Sequence, residues 1–149
     1  MRRLISSLLF SLTISIAHVG DVTAAPKNYG NAIVEQVTSI YDGDTFRATI
    51  QGWPALIGEK MSIRLNGIDT PEMRGKCPKE KQLARQAKQH TVALLRAAKV
   101  VELKNMQRGK YFRIVADVYV DNVSLTQSLI NANFGVPYFG KTKAKNWCS

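Results

Sequence analysis

The sequence predicts an α+β domain that is mainly β: a five-stranded Greek-key barrel of the OB type, with a helix after the third strand and a short C-terminal helix. Three observations point there. Five short segments rich in β-branched and aromatic residues are separated by turn residues, the punctuation of strands. One long helical period falls between the third and fourth of them. The chain of 149 residues, 45% of them hydrophobic, is long enough for one ordinary core and shows no internal repeat, low-complexity tract or second domain. Other α+β folds share this element order, and the small barrel is the one it suits best.

The first stretch reads as a targeting segment. Arg2 and Arg3 precede LISSLLFSLTISIAHV, an apolar run with a few Ser and Thr, and small residues close it at VTA-A. This is the three-part layout of a secretory signal peptide, cut after Ala24, with residues 25–149 as the domain. A membrane anchor is the competing reading, but the run is short for a span and is broken by Ser, Thr and His18. The signal predicts a secreted or periplasmic protein without a stable membrane anchor once it is cleaved.

The elements follow in order. Pro26–Asn31 is a loose lead-in. Ala32–Tyr41 reads as a strand with Ile33, Val37 and Ile40 apolar, and Thr45–Ile50 as a second strand after an Asp-Gly turn. QGWP and IGE supply turn residues. Lys60–Ile68 reads as a third strand, with Met61, Ile63 and Leu65 on one face and Ser62, Arg64 and Asn66 on the other. From about Lys79 to Ala98, Leu83, Ala87, Thr91, Leu94, Leu95 and Ala98 recur at helical spacing. Lys99–Met106 and Tyr111–Val120 read as two more strands. The second puts Phe112, Ile114, Ala116, Val118 and Val120 on one face and Arg113, Val115, Asp117 and Tyr119 on the other. Ser124 caps a short helix over LTQSLINA, and GVPYFGKTKAKNWCS is a basic, loop-like tail.

Charge and residue inventory narrow the chemistry. Lys and Arg number 21 against 11 Asp and Glu, a formal net charge of +10. Such an excess attracts polyanions, whether nucleic acid, an anionic membrane surface or polysaccharide; a basic face kept for solubility is the bland alternative. Cys77 and Cys148 are the only cysteines and lack the CxxC spacing of a zinc site. In an oxidising compartment they predict a Cys77–Cys148 disulfide, which would contribute at most about 4 kcal/mol in the chain-entropy model; two free thiols are the alternative. Beyond the signal, His90 is the sole histidine, and it borders the apolar stripe of the long helix. A Ser-His-Asp triad or multi-histidine metal centre is thereby disfavoured. Catalysis would rest on carboxylates, arginines, tyrosines and a hard metal ion.

Four pieces carry that chemistry: DGDT (Asp42–Thr45), Arg64, DTPE (Asp69–Glu72) and Arg113. Each has a plain reading. DGDT is a hairpin turn, Thr70 and Pro71 are the N-cap and first residue of a helix, and the arginines are solvent-facing strand residues. Together they suit phosphodiester hydrolysis. Asp44 and Asp69 are hard oxygen ligands for Ca²⁺ or Mg²⁺. Thr70 precedes proline, which favours an extended backbone and a carbonyl turned to the metal. Arg64 and Arg113 offer permanently charged planar forks for phosphate oxygens. Glu72 stands close enough in sequence to Asp69 to act as general base on a water.

These motifs resemble the staphylococcal-nuclease (thermonuclease) family: DGDT, then R-L-x-G-I-D-T-P-E, then K-Y-x-R ahead of VADVYVD, in the family's order. The resemblance spans about Ile33 to Tyr138. It implies an OB-fold barrel and Ca²⁺-dependent, sugar-nonspecific cleavage of DNA and RNA, leaving 3′-phosphate and 5′-hydroxyl ends. It also implies metal binding by Asp44, Asp69 and the Thr70 carbonyl, phosphate contacts from Arg64 and Arg113, and Glu72 as general base. Tyr111 matches a substrate-side tyrosine, and Tyr138 matches another after a small gap. A monomer is expected. The departures are Phe112 where the family often has Gly, Gly109 where it often has Asp, the insertion RGKCPK (Arg74–Lys79), and NWCS in place of a long C-terminal helix. The disulfide is expected to replace part of that helix's anchoring. The rival reading is a non-catalytic OB-fold module that binds nucleic acid through Tyr111, Tyr138 and the basic face. A basic exported domain resting on envelope polymers would explain the charge but not the carboxylates.

Overall fold

A computed structural model describes residues 27–140, 142, 143 and 145–149; the expected signal segment with its cut after Ala24, and His18 within it, lie outside the described residues. The strands are β1 (Ala32–Ile40), β2 (Thr45–Ile50), β3 (Met61–Leu65), β4 (Ile68–Asp69), β5 (Val101–Arg108), β6 (Ile114–Val120), β7 (Val123–Ser124) and β8 (Val136–Pro137). The helices are α1 (Ala55–Gly58), α2 (Pro78–Ala97) and α3 (Leu125–Asn131). None of the described helices is long and apolar enough to cross a membrane.

The strands pair in the order β3-β2-β1-β5-β6, with β7 on β6, and β3 also pairs with β6. That last pairing is parallel, Ile63 opposite Ile114 and Leu65 opposite Ala116, and it closes a five-stranded mixed barrel. The fold is the α+β OB barrel the element order predicts. Alternation fills it: Phe46, Ala48 and Ile50 of β2 and Ile114, Ala116, Val118 and Val120 of β6 are buried, while their neighbours are less so. Register shifts within β1, between Val34 and Gln36 and again between Val37 and Ser39, supply the local bending that closure requires.

Several boundaries differ from the sequence reading; the first strand ends at Ile40 rather than Tyr41 and the fourth runs to Arg108 rather than Met106. The expected third strand ends at Leu65, because Gly67 (φ 75°) turns the chain, and its remainder becomes β4, paired with β8 in what reads as loop. The fourth starts two residues late, because the Lys99 and Val100 N–H groups bond the Asp121 carboxylate at 3.0 and 2.9 Å instead of a ladder partner. The fifth starts at Ile114. Arg108 pairs with Ile114, leaving residues 109–113 as the hairpin loop, with Tyr111 and Phe112 at φ 59° and 56°. Phe112 thus leaves the Ile114 face and stands 56% exposed beneath the Arg108 guanidinium, 4.5 Å from its ring. A left-handed backbone favours glycine, so a phenylalanine there is held at a cost of roughly 1 kcal/mol. QGWPALIG contains the short helix α1 rather than turns alone.

Helix α2 begins at Pro78, not at Pro71. Cys77 is its N-cap, with Sγ accepting the Glu80 N–H at 3.4 Å, so Thr70 is free for another use. Cys77 is bonded to Cys148, their Cα atoms 6.0 Å apart, and this brings the tail back to the start of α2. Ser124 caps α3 as expected, accepting the Gln127 N–H at 3.2 Å. His90 is a packing residue: it contacts Ser128 Oγ at 2.9 Å and its ring lies against Phe134.

Candidate active site

The site is built in two halves. The first grows from the turn between β1 and β2. The Tyr41 and Asp42 N–H groups both donate to the Thr45 carbonyl, at 2.9 and 3.3 Å. Asp42 Oδ1 accepts the Asp44 N–H at 3.1 Å. Gly43 lies against α2: Thr91 Oγ1 donates to its carbonyl at 2.7 Å, and a Cβ there would stand 2.9 Å from Ala87 Cβ. Asp44 is thereby held almost wholly buried. Its carboxylate accepts Thr45 Oγ1 at 2.8 Å and Arg64 Nη1 at 2.5 Å, and the Thr70 side chain also favours its charge. Arg64 is opposite Thr45 in the β2–β3 register, and its Nη2 donates to the Ile68 carbonyl at 3.3 Å. Burial raises the Asp44 pKa, and Arg64 and the two threonine side chains oppose that rise. Asp42 is pushed up to about 7, first by burial and then by the Asp44 charge.

The second half grows from β4 and the loop after it. Asp69, paired with Val136 of β8, is buried. Its Oδ2 accepts the Trp147 indole N–H at 3.4 Å, and its Oδ1 lies 2.6 Å from Lys143 Nζ. That approach is an ion pair without hydrogen-bond alignment, so Asp69 Oδ1 is a buried oxygen with no hydrogen bond among the described residues. Lys143 Nζ also lies 2.7 Å from Glu72 Oε1. Burial works against the Lys143 charge, but its pairing with Asp69 and Glu72 outweighs this and pushes the ammonium up to about 12. The Glu72 loop wraps around buried Glu80 of α2, whose carboxylate accepts the Glu72 and Lys76 N–H groups at 3.3 and 2.9 Å.

A groove of about 300 Å³ joins the halves, lined by Tyr41, Asp42, Thr45, Arg64, Glu72, Arg113, Tyr138 and Lys143. Arg64, Glu72, Arg113 and Tyr138 are therefore together as the sequence implied. Asp44 joins them through Arg64, and Asp69 through Lys143. Arg113 brings a buried Nε with no hydrogen-bond partner among the described residues. Tyr111 is not in the lining; it is 90% exposed on the hairpin loop. Thr70 is buried, and its side chain favours the charged form of Asp44. Asp42, Lys143 and Trp147 belong to the site and were not singled out from sequence. The second acidic residue of DGDT had hidden the first, and nothing in the loop-like tail marks Lys143 or Trp147 except their nearness to Cys148.

The family described as Staphylococcal nuclease homologue matches residues 62–146, more than half of the chain. The chain belongs to the staphylococcal nuclease family. Within the stretch matched to the staphylococcal nuclease homologues lie Arg64, Asp69, Glu72, Arg113, Tyr138 and Lys143; Asp44, Trp147 and Cys148 lie outside it. A curated relative of Aspergillus terreus named "Probable endonuclease lcl3" is 33% identical over 118 residues, covering 66% of this chain and 40% of the relative. The chain thus spans less than half the length of that relative.

Proposed function

We propose that this domain is a metal-dependent, sugar-nonspecific nuclease, using Ca²⁺ to hydrolyse phosphodiester bonds of DNA and RNA and leaving 3′-phosphate and 5′-hydroxyl ends. The observation that carries this reading is the pair of buried carboxylates, Asp44 and Asp69, beside a groove into which Arg64 and Arg113 project.

The donor set fits a hard divalent cation. Asp44 and Asp69 are oxygen donors, Asp69 Oδ1 is buried and already faces a cation, Lys143 Nζ at 2.6 Å, and burial penalises the Asp42 and Asp44 charges in a way that a cation would offset. Asp44, Asp69 and the Thr70 carbonyl would hold it. When bound, the ion supplies Lewis-acid charge neutralisation to the phosphodiester. The side chains do the rest. Arg64 and Arg113 clamp phosphate oxygens and stabilise the charge that builds on them. Glu72 takes a proton from the attacking water as its oxygen bonds to phosphorus. The P–O5′ bond breaks, the 5′ oxygen takes a proton from solvent water in the open groove and leaves as hydroxyl, and the phosphate stays on the 3′ side. The Tyr138 ring in the groove offers a face for a base. Export to a periplasm or out of the cell, with the monomer as working unit, completes the proposal; the Cys77–Cys148 bond suits an oxidising compartment.

The test is incubation of the purified protein with plasmid DNA and with RNA, in Ca²⁺, Mg²⁺ or chelator, followed by end-group analysis. Degradation that chelator abolishes, with 3′-phosphate ends, is the expected result. A protein that retards DNA on a gel and never cuts it is the non-catalytic binding module instead.

A further inference from the structure

The tail that the site recruits comes from far along the chain and is fixed there. Cys148 is bonded to the N-cap residue of α2, the Ser149 carbonyl accepts Lys79 Nζ, and Trp147 is buried. From that anchor Lys143 is four residues away, so its reach is limited to about 14 Å of extended chain. A cation on so short a tether has a high effective concentration at the carboxylates it faces.

We propose that this tail sets the cation affinity of the carboxylate site, through two residues acting in opposite directions. Lys143 is a built-in counter-cation that competes with a divalent ion for Asp69 and Glu72. Trp147 is a positioning residue that orients Asp69 as a ligand. The proposal rests on the cation-binding reading above.

The two side chains are built for these different parts. Lys143 Nζ stands within 2.7 Å of both carboxylates while its side chain is 43% exposed, so it can swing into water when a stronger cation arrives. Any divalent ion that takes Asp69 must first displace or tolerate that ammonium. Trp147 is 9% exposed and cannot swing. Its N–H engages Asp69 Oδ2, which leaves Oδ1 facing the Lys143 ammonium without a directed hydrogen bond. An outer partner of this kind fixes the orientation of a ligating carboxylate, and its loss typically costs roughly ten- to hundredfold in metal affinity.

The experiment is calorimetric titration of Ca²⁺ into the disulfide-bonded protein and its variants, paired with melting temperatures in chelator. Lys143→Ala should tighten Ca²⁺ binding by roughly tenfold, the order expected from removing one half-exposed charge. Lys143→Arg, which keeps the charge, should stay near wild type. Trp147→Phe keeps the buried ring and loses the N–H, and should weaken binding by roughly tenfold or more, with little change in the metal-free melting temperature. Terbium should report the same geometry: indole-sensitised emission in wild type, lost in Trp147→Phe although Trp53 remains. A merely structural tail would move both variants in the same direction. Unchanged or weaker binding by Lys143→Ala, or unchanged binding by Trp147→Phe, overturns the proposal. If neither wild type nor Lys143→Ala binds Ca²⁺, the Ca²⁺-site reading falls with it; binding that ignores residues 143 and 147 overturns this inference alone.

Discussion

The two halves of the site are held by different means. Asp44 and Arg64 are fixed by the barrel: adjacent strands, a register that sets Thr45 opposite Arg64, and a helix pressed on the turn. Asp69 and Glu72 sit on a two-residue strand and a loop, and their partners Trp147 and Lys143 are 78 and 71 residues away in sequence. The first half comes with the fold. The second depends on a two-residue strand pair and a covalent bond between distant residues, and it is expected to be separable from the barrel.

Variants can break this comparison. The largest effects belong to the groove. Arg113→Ala and Arg64→Ala should each lower the cleavage rate by roughly 10²–10³-fold, measured as initial rates on plasmid. Only Arg64→Ala should also lower the melting temperature, because it leaves Asp44 buried beside no cation. Glu72→Gln should cost roughly 10²–10⁴-fold in rate with little effect on stability. Equal losses of stability in Arg64→Ala and Glu72→Gln would erase the difference between the halves.

Next comes the disulfide. Cys77→Ser with Cys148→Ser should destabilise the protein by about 2–4 kcal/mol in urea titration, while its far-ultraviolet circular dichroism keeps the barrel signature. Collapse of the barrel in that variant would show that the tail belongs to the core after all.

A smaller effect separates Asp42 from its neighbours. Its folded pKa of about 7 lies above the unfolded value of 3.8, because burial and Asp44 disfavour its charge. The folded protein then holds the extra proton, so this group's contribution is fully present below about pH 4 and is lost as pH rises through about 7. Asp42→Asn removes the dependence. In chelator it should melt higher than wild type at pH 8, with the gap closing toward pH 4. The smallest effect is that of Tyr111→Ala, which should change stability by no more than about 0.5 kcal/mol, since the side chain stands 90% exposed.

The legibility of the sequence divides along the same line. Arg64 could be read because alternation put it opposite Met61, Ile63 and Leu65, and Asp44 because an Asp-Gly turn ends where a strand must begin. The buried state of Asp42 could not be read, since the same dipeptide most often faces water. Alternation through YFRIVADVYV also misled. It continues unbroken past the point where Arg108 pairs with Ile114, and no residue type announced that Tyr111 and Phe112 take a left-handed backbone. Lys143 and Trp147 lie in a segment without period. A covalent bond and a two-residue strand pair place it, and neither leaves a local pattern.

The contact between Gly43 and Ala87 ties two distant positions into one mutational fate. A methyl on α2 and the Thr70 side chain already fill the space over the turn: a Cβ at residue 43 would stand 2.9 Å from Ala87 Cβ and 3.2 Å from Thr70 Cγ2. Residue 43 cannot grow unless both neighbours give way, and the depth at which Asp44 sits is gauged in part by the width of an alanine. Drift along that helix face is therefore confined by the turn that carries Asp44, and in related sequences a larger residue at position 43 should appear only where positions 87 and 70 leave room for it.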